Sequence, residues 1–397
     1  MSKHNIRRWF PFVHFRVSEI TVNETGQETH VVVVPNKRYA ACCSECLEKR
    51  RNIHSYHIRY IYDLPIAESV VKLEIHYRKV LCPSCGIRIE HIDFVEPYGH
   101  VTKRFAQYIA SLCKVMTIRD VAQHVKLSWY QVKEIDKAHL QAHYENVPID
   151  MLRILSVDEI AIKKRHHYMT VILNYETGTI LCMNKDRKTE SLGDFFKSLP
   201  ETTLAGIEAI AIDMWDPYIK AIKDHCSHAA IVFDLFHVVA AFNRVIDKVR
   251  NEEINKLTKK DKLLFKKSKY LFLKNPENLD AEERPRLKDL LRLNETLSTV
   301  YILKEHIKRL WSYRYKKSAQ GFLNYWCSLA YETGVQLVVK FANMLTKYSY
   351  GILNHCLYPI HTGKLEGVNN KIKVIKRKAY GFRDFKYFEL KCIQATS

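Results

Sequence analysis

Several features are missing from this chain. No basic leader running into an apolar stretch and a small-residue cleavage site is read at its start, and no run of about 18 or more apolar residues occurs. A cytoplasmic protein is the expectation. Cysteine is too scarce for a disulfide scaffold: 11 in 397 residues, an odd number that fits a reducing compartment. Acid is in short supply too, with 43 Asp and Glu against 63 Lys and Arg, a formal charge of +20. Solubility requires far less. The excess points to a polyanionic partner, nucleic acid first, with an anionic membrane surface or a generally basic proteome as the blander accounts. What is present suffices for modules: 47% hydrophobic residues over this length can build a sizeable core and roughly two to four domains.

The first part reads as short strands at Ile20–Val22, Thr29–Val34, Arg59–Leu64 and Val70–Tyr77. Met1 to Phe10, ahead of them, reads unlike a folded opening. The β-rich unit contains Cys43-x2-Cys46 and Cys82-Pro83-Ser84-Cys85, two pairs that suit a tetrahedral thiolate zinc site. A unit so poor in large apolar side chains gains from a metal staple. Cys42 adjoins the first pair, and His54, His57 and His76 lie between the pairs, so other ligand choices stay open. Four unrelated reduced cysteines in a core are the plainer alternative.

From about Thr102 the apolar period becomes helical, and residues 117–135 read as a helix-turn-helix. Thr117 and Ser128 can cap its helices, and Ala122 is small where they cross. Lys126 occupies the turn where glycine is favoured, so a left-handed backbone there would cost about 1 kcal/mol. In the usual docking Trp129, Tyr130, Gln131 and Lys133 would meet the groove or the phosphates. An ordinary helical linker that only packs is the competing view.

After Pro148 the chain looks α/β. Strands at Arg153–Val157, His167–Asn174 and Thr179–Asn184 precede a helix at Leu192–Leu199, a strand at Ile207–Ile212, a helix at Pro217–His225 and a strand at Ala229–Phe233. Three strands, helix, strand, helix, strand is the element order of the ribonuclease H-like fold. Val238 to Tyr358 reads as mostly helical and locally very basic, as at Lys259-Lys260 and Lys266-Lys267, with Leu329–Leu345 taken as one buried helix and Trp311 and Trp326 as core. The last part, His361 to Lys391, is strongly basic, and Lys371, Lys373, Lys376, Arg377 and Lys378 suit a helix laid along a phosphate backbone.

Asp158 and Asp213 each end an apolar strand, so on neighbouring strands both would emerge at one sheet edge. Aspartate at strand ends is common as a cap or turn residue. Glu366, set in a basic helix, supplies a third carboxylate. Three acids can hold two divalent cations around a phosphodiester, and Mg²⁺ prefers such hard oxygen donors.

Ser156-Val157-Asp158-Glu159, Ala211-Ile212-Asp213-Met214-Trp215, Asp234-Leu235-Phe236-His237 and Leu365-Glu366-Gly367-Val368-Asn369-Asn370-Lys371 together resemble the bacterial insertion-sequence transposases of the DDE type. The resemblance covers residues from about 20 to 392. It implies an α/β fold: a ribonuclease H-like core with a helical insertion, preceded by a β-rich zinc domain and a helix-turn-helix. The divisions expected are 1–98, 99–148, 149–240, 241–358 and 359–397. It also implies Asp158, Asp213 and Glu366 as catalytic Mg²⁺ or Mn²⁺ ligands, and Zn²⁺ on the cysteine pairs. Asp234 and His237 are expected in supporting roles, by positioning phosphate or water or by structural hydrogen bonds. Element ends and target DNA are the expected partners, with a dimer or larger assembly in a bacterial, nucleoid-associated setting. Two rivals remain: a decayed transposase acting as a DNA-binding regulator, and a nuclease of the same fold that never joins strands.

Overall fold

The computed structural model describes residues 9–96, 99–145, 149, 151–163, 167–185, 189–360, 362–379 and 381–397. By internal packing the chain divides into two units, Met1–Val147 with Lys376–Leu390, and Pro148–Ile375 with Lys391–Ser397.

The first unit opens with β1 (Phe15–Val22), β2 (Glu28–Pro35), β3 (Ala41–Cys42), β4 (Lys49–Arg50), β5 (Ile53–Ile66), β6 (Ser69–Cys82) and β7 (Gly86–Ile89). The main sheet runs β1-β2-β6-β5, with β7 against β6. Val71, Leu73 and Ile75 of β6 are buried while Lys72, Glu74 and His76 are half-open, the two-residue alternation of a sheet with one covered face. β5 and β6 are 14 residues each, longer than their apolar cores predicted. Their outer halves carry His, Tyr, Arg and Lys, which blur the alternation in sequence. Phe10 lies in this core with Phe15, Val31, Val33 and Ile61, so the opening segment contributes to the fold from at least that residue.

Next come α1 (Lys103–Val115), α2 (Ile118–Val125) and α3 (Trp129–Tyr144). Each starts on a side-chain cap: Thr102 accepts from the Phe105 N–H, Thr117 from Asp120 and Ser128 from Gln131. Lys126 ends α2 at φ 55° and ψ 37°, the left-handed turn expected of it. Val121, Ala122, Phe105, Ile109 and Val132 form the core of the three helices.

The second unit contains β8 (Ile154–Lys163), β9 (His167–Asn174), β10 (Ile180–Asn184), α4 (Thr189–Ser198), α5 (Glu201–Ala205), β11 (Ala209–Ile212), α6 (Asp216–His225) and β12 (Ala230–Phe233). The strand order is β10-β9-β8-β11-β12. The first three strands are antiparallel, and β8, β11 and β12 are parallel. This matches the expected element order, with the short α5 as an addition. All four residues of β11 are buried, as a central strand covered on both faces requires.

Helices α7 (Leu235–Lys256), α8 (Lys259–Leu264), α9 (Lys269–Leu273), α10 (Glu283–Leu293), α11 (Glu295–Ile307), α12 (Lys316–Glu332), α13 (Gln336–Lys347) and α14 (Ser349–Ile352) follow. They share one apolar core with the sheet, from Leu155 on β8 to Trp326 on α12. Trp326 is fully buried and its indole N–H donates to the Leu303 carbonyl at 3.0 Å, as a core residue should. The expected single helix over Leu329–Leu345 is in fact two, because Gly334 at φ +64° turns the chain between α12 and α13. Gly351 lets α14 approach β12, since a Cβ there would fall 2.5 Å from the Phe233 ring. The chain ends with α15 (Thr362–Lys378) and α16 (Phe385–Thr396). Among the described residues no helix is long and apolar enough to cross a membrane.

Candidate functional site

Pairing of β8 with β11 runs from Ile154 opposite Ala209 to Ser156 opposite Ala211. Asp158 and Asp213 therefore each stand two residues past the last β8–β11 pair, but only Asp213 follows a strand end. Asp158, expected at one, lies inside β8, which runs on to Lys163 because β9 goes on pairing with it, Val171 opposite Asp158. The following backbone N–H orients each carboxylate: Glu159 donates to Asp158 Oδ1 at 2.7 Å and Met214 to Asp213 Oδ1 at 2.6 Å. On the next strand Asp234 caps α7, accepting from the Phe236 N–H at 2.9 Å. The cap fixes where α7 begins, and His237 in its first turn comes between the two aspartates. Its Nδ1 is 3.5 Å from Asp213 Oδ2 and its Nε2 3.9 Å from Asp158 Oδ1.

Helix α15 buries Leu365, Val368 and Ile372 at helical spacing and leaves Glu366 exposed. Lys364 Nζ donates to the Tyr175 and Glu176 carbonyls at 3.3 and 2.9 Å, and Lys371 Nζ to the Ala395 carbonyl at 3.3 Å. Between them Asn369 Nδ2 donates to Asp158 Oδ2 at 2.6 Å. Glu366 precedes Asn369 by three residues, so it is that residue's neighbour on the helix surface. The helix thus places its acid one turn from the residue that touches Asp158. Among the described residues the three acids do not close to within 4.8 Å of one another, as the thiols described next do. As hard oxygen donors at an accessible edge they still match what Mg²⁺ or Mn²⁺ prefers.

The sulfurs of Cys43, Cys46, Cys82 and Cys85 all lie within 4.8 Å of one another. Cys46 and Cys82 are 3.7 Å apart; bonds of about 2.3 Å to a tetrahedral zinc would set sulfurs about 3.8 Å apart. Cys42 turns its thiol to the Ala40 carbonyl instead, His54 and His57 share Ser55, and His76 bonds Glu74. The ligand choice left open by spacing thus resolves to the two outer pairs. Burial opposes ionisation of Cys82, but hydrogen bonds from Arg50 and from the Cys85 and Ser84 backbone outweigh it and bring the thiol down to about 6. Burial and the neighbouring thiols push Cys85 up to about 12. One thiolate beside an arginine is a ready first ligand for a cation.

In the helix-turn-helix, Trp129 and Tyr130 are exposed at the start of α3. Gln131 is occupied by its capping box with Ser128. Lys133 is held inside the unit, 3.0 Å from Asp384 and 3.1 Å from Glu134. Lys137 also meets Asp384, at 2.8 Å. Burial would raise the Asp384 carboxyl, but these two lysines hold it far below the usual carboxylate range. Beside them the Tyr387 hydroxyl donates to buried Asp136 at 2.5 Å. Of the basic set on α15, Lys373 and Arg377 are exposed and Lys376 is half-buried, while Lys371 is engaged as above and Lys378 bonds the Val115 carbonyl.

Three family profiles match this chain in the order of these elements. One, described as zinc-finger of transposase IS204/IS1001/IS1096/IS1165, covers residues 40–85. Another, the helix-turn-helix domain of transposase family ISL3, covers 90–140, and a third, described as transposase, covers 155–392. The chain belongs to the ISL3 family of DDE transposases. It is 38% identical over 372 residues to the transposase for insertion sequence element IS1001 of Bordetella parapertussis, covering 93% of this chain and 91% of that one. It is 24% identical over 339 residues to the transposase for insertion sequence element IS1557 of Mycobacterium tuberculosis, covering 79% and 76%. DNA transposition is the general function of an ISL3-family chain, and the four thiols fall within or at the end of its zinc-finger match.

Two residues of this ISL3-family site carried no role in the sequence reading. Asn369 touches Asp158, and Lys364 fastens the start of α15 to the β9–β10 turn. A signal existed for Asn369, which stands one helical turn after Glu366. Nothing in sequence marked Lys364, because its acceptors are backbone carbonyls nearly two hundred positions away.

Proposed function

We propose that this protein cuts the ends of its insertion sequence and joins the freed 3′-hydroxyls to target DNA, with Asp158, Asp213 and Glu366 as the catalytic carboxylates. The second unit is then a ribonuclease H-like core in which the helices between β12 and α15 form an insertion. The antiparallel β10-β9-β8 followed by parallel β11 and β12 supports this. The observation that carries the catalytic reading is the hydrogen bond from Asn369 to Asp158, which ties the helix bearing Glu366 to the strand bearing the first aspartate.

Asp158 on the central strand, Asp213 and Glu366 would together hold two divalent cations. When bound, such a pair lowers the pKa of an attacking water or 3′-hydroxyl and stabilises the departing oxygen. His237 acts as a positioning residue that holds the aspartate pair, and Asp234 acts through it by fixing the start of α7. Trp129 and Tyr130 offer the exposed start of α3 to DNA, and Lys373 and Arg377 offer phosphate contacts. Paired element ends call for a dimer or larger assembly.

The test uses the full chain, Mg²⁺, a duplex carrying the inverted repeats that flank the gene, and a target plasmid. Covalent joint molecules are expected. Asp158→Asn and Glu366→Gln should each lower their yield at least about a thousandfold while end binding persists. Hydrolysed ends without joints would favour the nuclease reading, and binding without any cleavage the regulator. Undiminished joining by Glu366→Gln would remove that residue from the site.

A further inference from the structure

The helical part of the second unit presents a surface that this chemistry does not use. Thr258 to Lys269 contains Lys259, Lys260, Lys262, Lys266, Lys267 and Lys269 against one acid, Asp261. Six cations less one anion leave +5 in twelve residues, a quarter of the +20 carried by all 397. The charge is not neutralised locally. Asp261 accepts the Thr258 hydroxyl at 2.6 Å in the cap of α8, and Lys269 alone finds an acid, Asp247 at 2.8 Å. Among the described residues the other five lysines have no acidic partner, and Lys259, Lys260, Lys266 and Lys267 are exposed.

These cations stand on a fixed platform. Phe265, Leu271 and Phe272 are buried in the core of the unit, and Arg286 donates to the Lys266 carbonyl at 2.5 Å. Lys267 holds a left-handed backbone at φ 59°, which costs a non-glycine residue about 1 kcal/mol. Strain of this kind is concentrated at functional positions in folded proteins. Because the backbone that carries these cations is already ordered, no segment has to fold when a polyanion binds.

Exposed Leu263, Leu264 and Tyr270 alternate with the lysines, a mixture that an anionic lipid surface also attracts. Helix α8, however, has only six residues, too few for the apolar stripe of an interfacial helix. Duplex DNA is the polyanion that a transposase meets in its work. We propose that Thr258 to Lys269 is a sequence-independent binding surface for the DNA backbone, in addition to the helix-turn-helix. This rests on DNA as the substrate and is independent of the carboxylate assignment.

The experiment measures binding of the full chain to an unrelated duplex and to element-end duplex over a range of salt. Each phosphate contact contributes about 0.9 to the slope of log affinity against log salt. With Lys259, Lys260, Lys262, Lys266 and Lys267 all changed to Gln, the slope should fall by about 3 to 4 and affinity for the unrelated duplex about a hundredfold at low salt. Arginine at the same five positions should keep the slope. The pair Lys266→Gln and Lys267→Gly, the latter easing the strained turn, should still lower it by about 1 to 2 and serves if the larger variant melts early. Unchanged slopes with an unchanged melting temperature overturn the proposal. So does a loss confined to element-end duplex, or one confined to phosphatidylserine vesicles. The joining assay on Asp158→Asn and Glu366→Gln tests the carboxylate reading and the salt slope of the lysine variants tests this one, so the two failures are told apart.

Discussion

The thiol cluster and the proposed carboxylate site would both hold cations, yet they are built in opposite ways. The four cysteines come from two tight pairs, lie at the end of β6 and in or beside turns, and converge to within 4.8 Å. The acids come from two strands and a late helix, and Glu366 stays exposed. A closed, preassembled set of soft ligands suits a metal that stabilises the fold. In the proposed catalytic site an open set of hard ligands, with His237 between two of them, would leave room for substrate oxygens. The lesson is that assembly before binding belongs to structure, and incompleteness belongs to chemistry.

The comparison can be broken most forcefully at the thiols. Cys82→Ser, or a strong chelator on the unaltered protein, should release bound zinc and melt the β3–β4 and β7 end of the first unit, lowering stability by several kcal/mol, about 3 or more. Metal analysis and hydrogen exchange check this. Retained zinc with native protection in Cys82→Ser would mean that three ligands suffice.

A smaller effect is expected where carboxylate chemistry serves stability alone. Asp384→Asn strands Lys133 and Lys137 and should destabilise the first unit by about 1 to 2 kcal/mol at neutral pH. The folded state lowers this carboxyl, so its contribution is in place above the ordinary value of about 3.9 and is lost as pH falls below it. Denaturant midpoints at pH 7 and pH 3 should therefore differ less in the variant than in the unaltered chain. An identical pH dependence would place the acid sensitivity elsewhere.

An effect of the same order concerns packing beneath the open site. Gly351→Ala places a methyl group against Phe233, the residue before Asp234, and should cost about 1 to 3 kcal/mol. A thermal melt that shifts by less than a degree would show that the ring moves aside freely.

Legibility followed the range of the interactions. The capping of α2 and α3 by Thr117 and Ser128, and the left-handed Lys126, could be read in advance because each depends on neighbours a few positions away. So could the order of β8, β9 and β10, joined by their turns. The break at Gly334 was missed because an apolar count does not register one residue's backbone. The outer halves of β5 and β6 were missed because polar residues interrupt the apolar pattern there while the backbone pairing continues. Gln131 and Lys133 illustrate the converse. Their types and positions suit DNA contact, but a capping box and Asp384 already occupy them.

By itself the sequence determined the order of the modules, the two cysteine pairs, the motifs that carry the two aspartates and the concentration of positive charge, since all of these are set by composition and spacing along the chain. Tertiary structure alone decided that Cys43 and not Cys42 joins the thiols, that His237 comes between Asp158 and Asp213, and that Asn369 reaches Asp158 across 211 positions. The physical reason is that such contacts depend on strand register and helix docking, which are fixed by burial of the whole core and by no local run of residues.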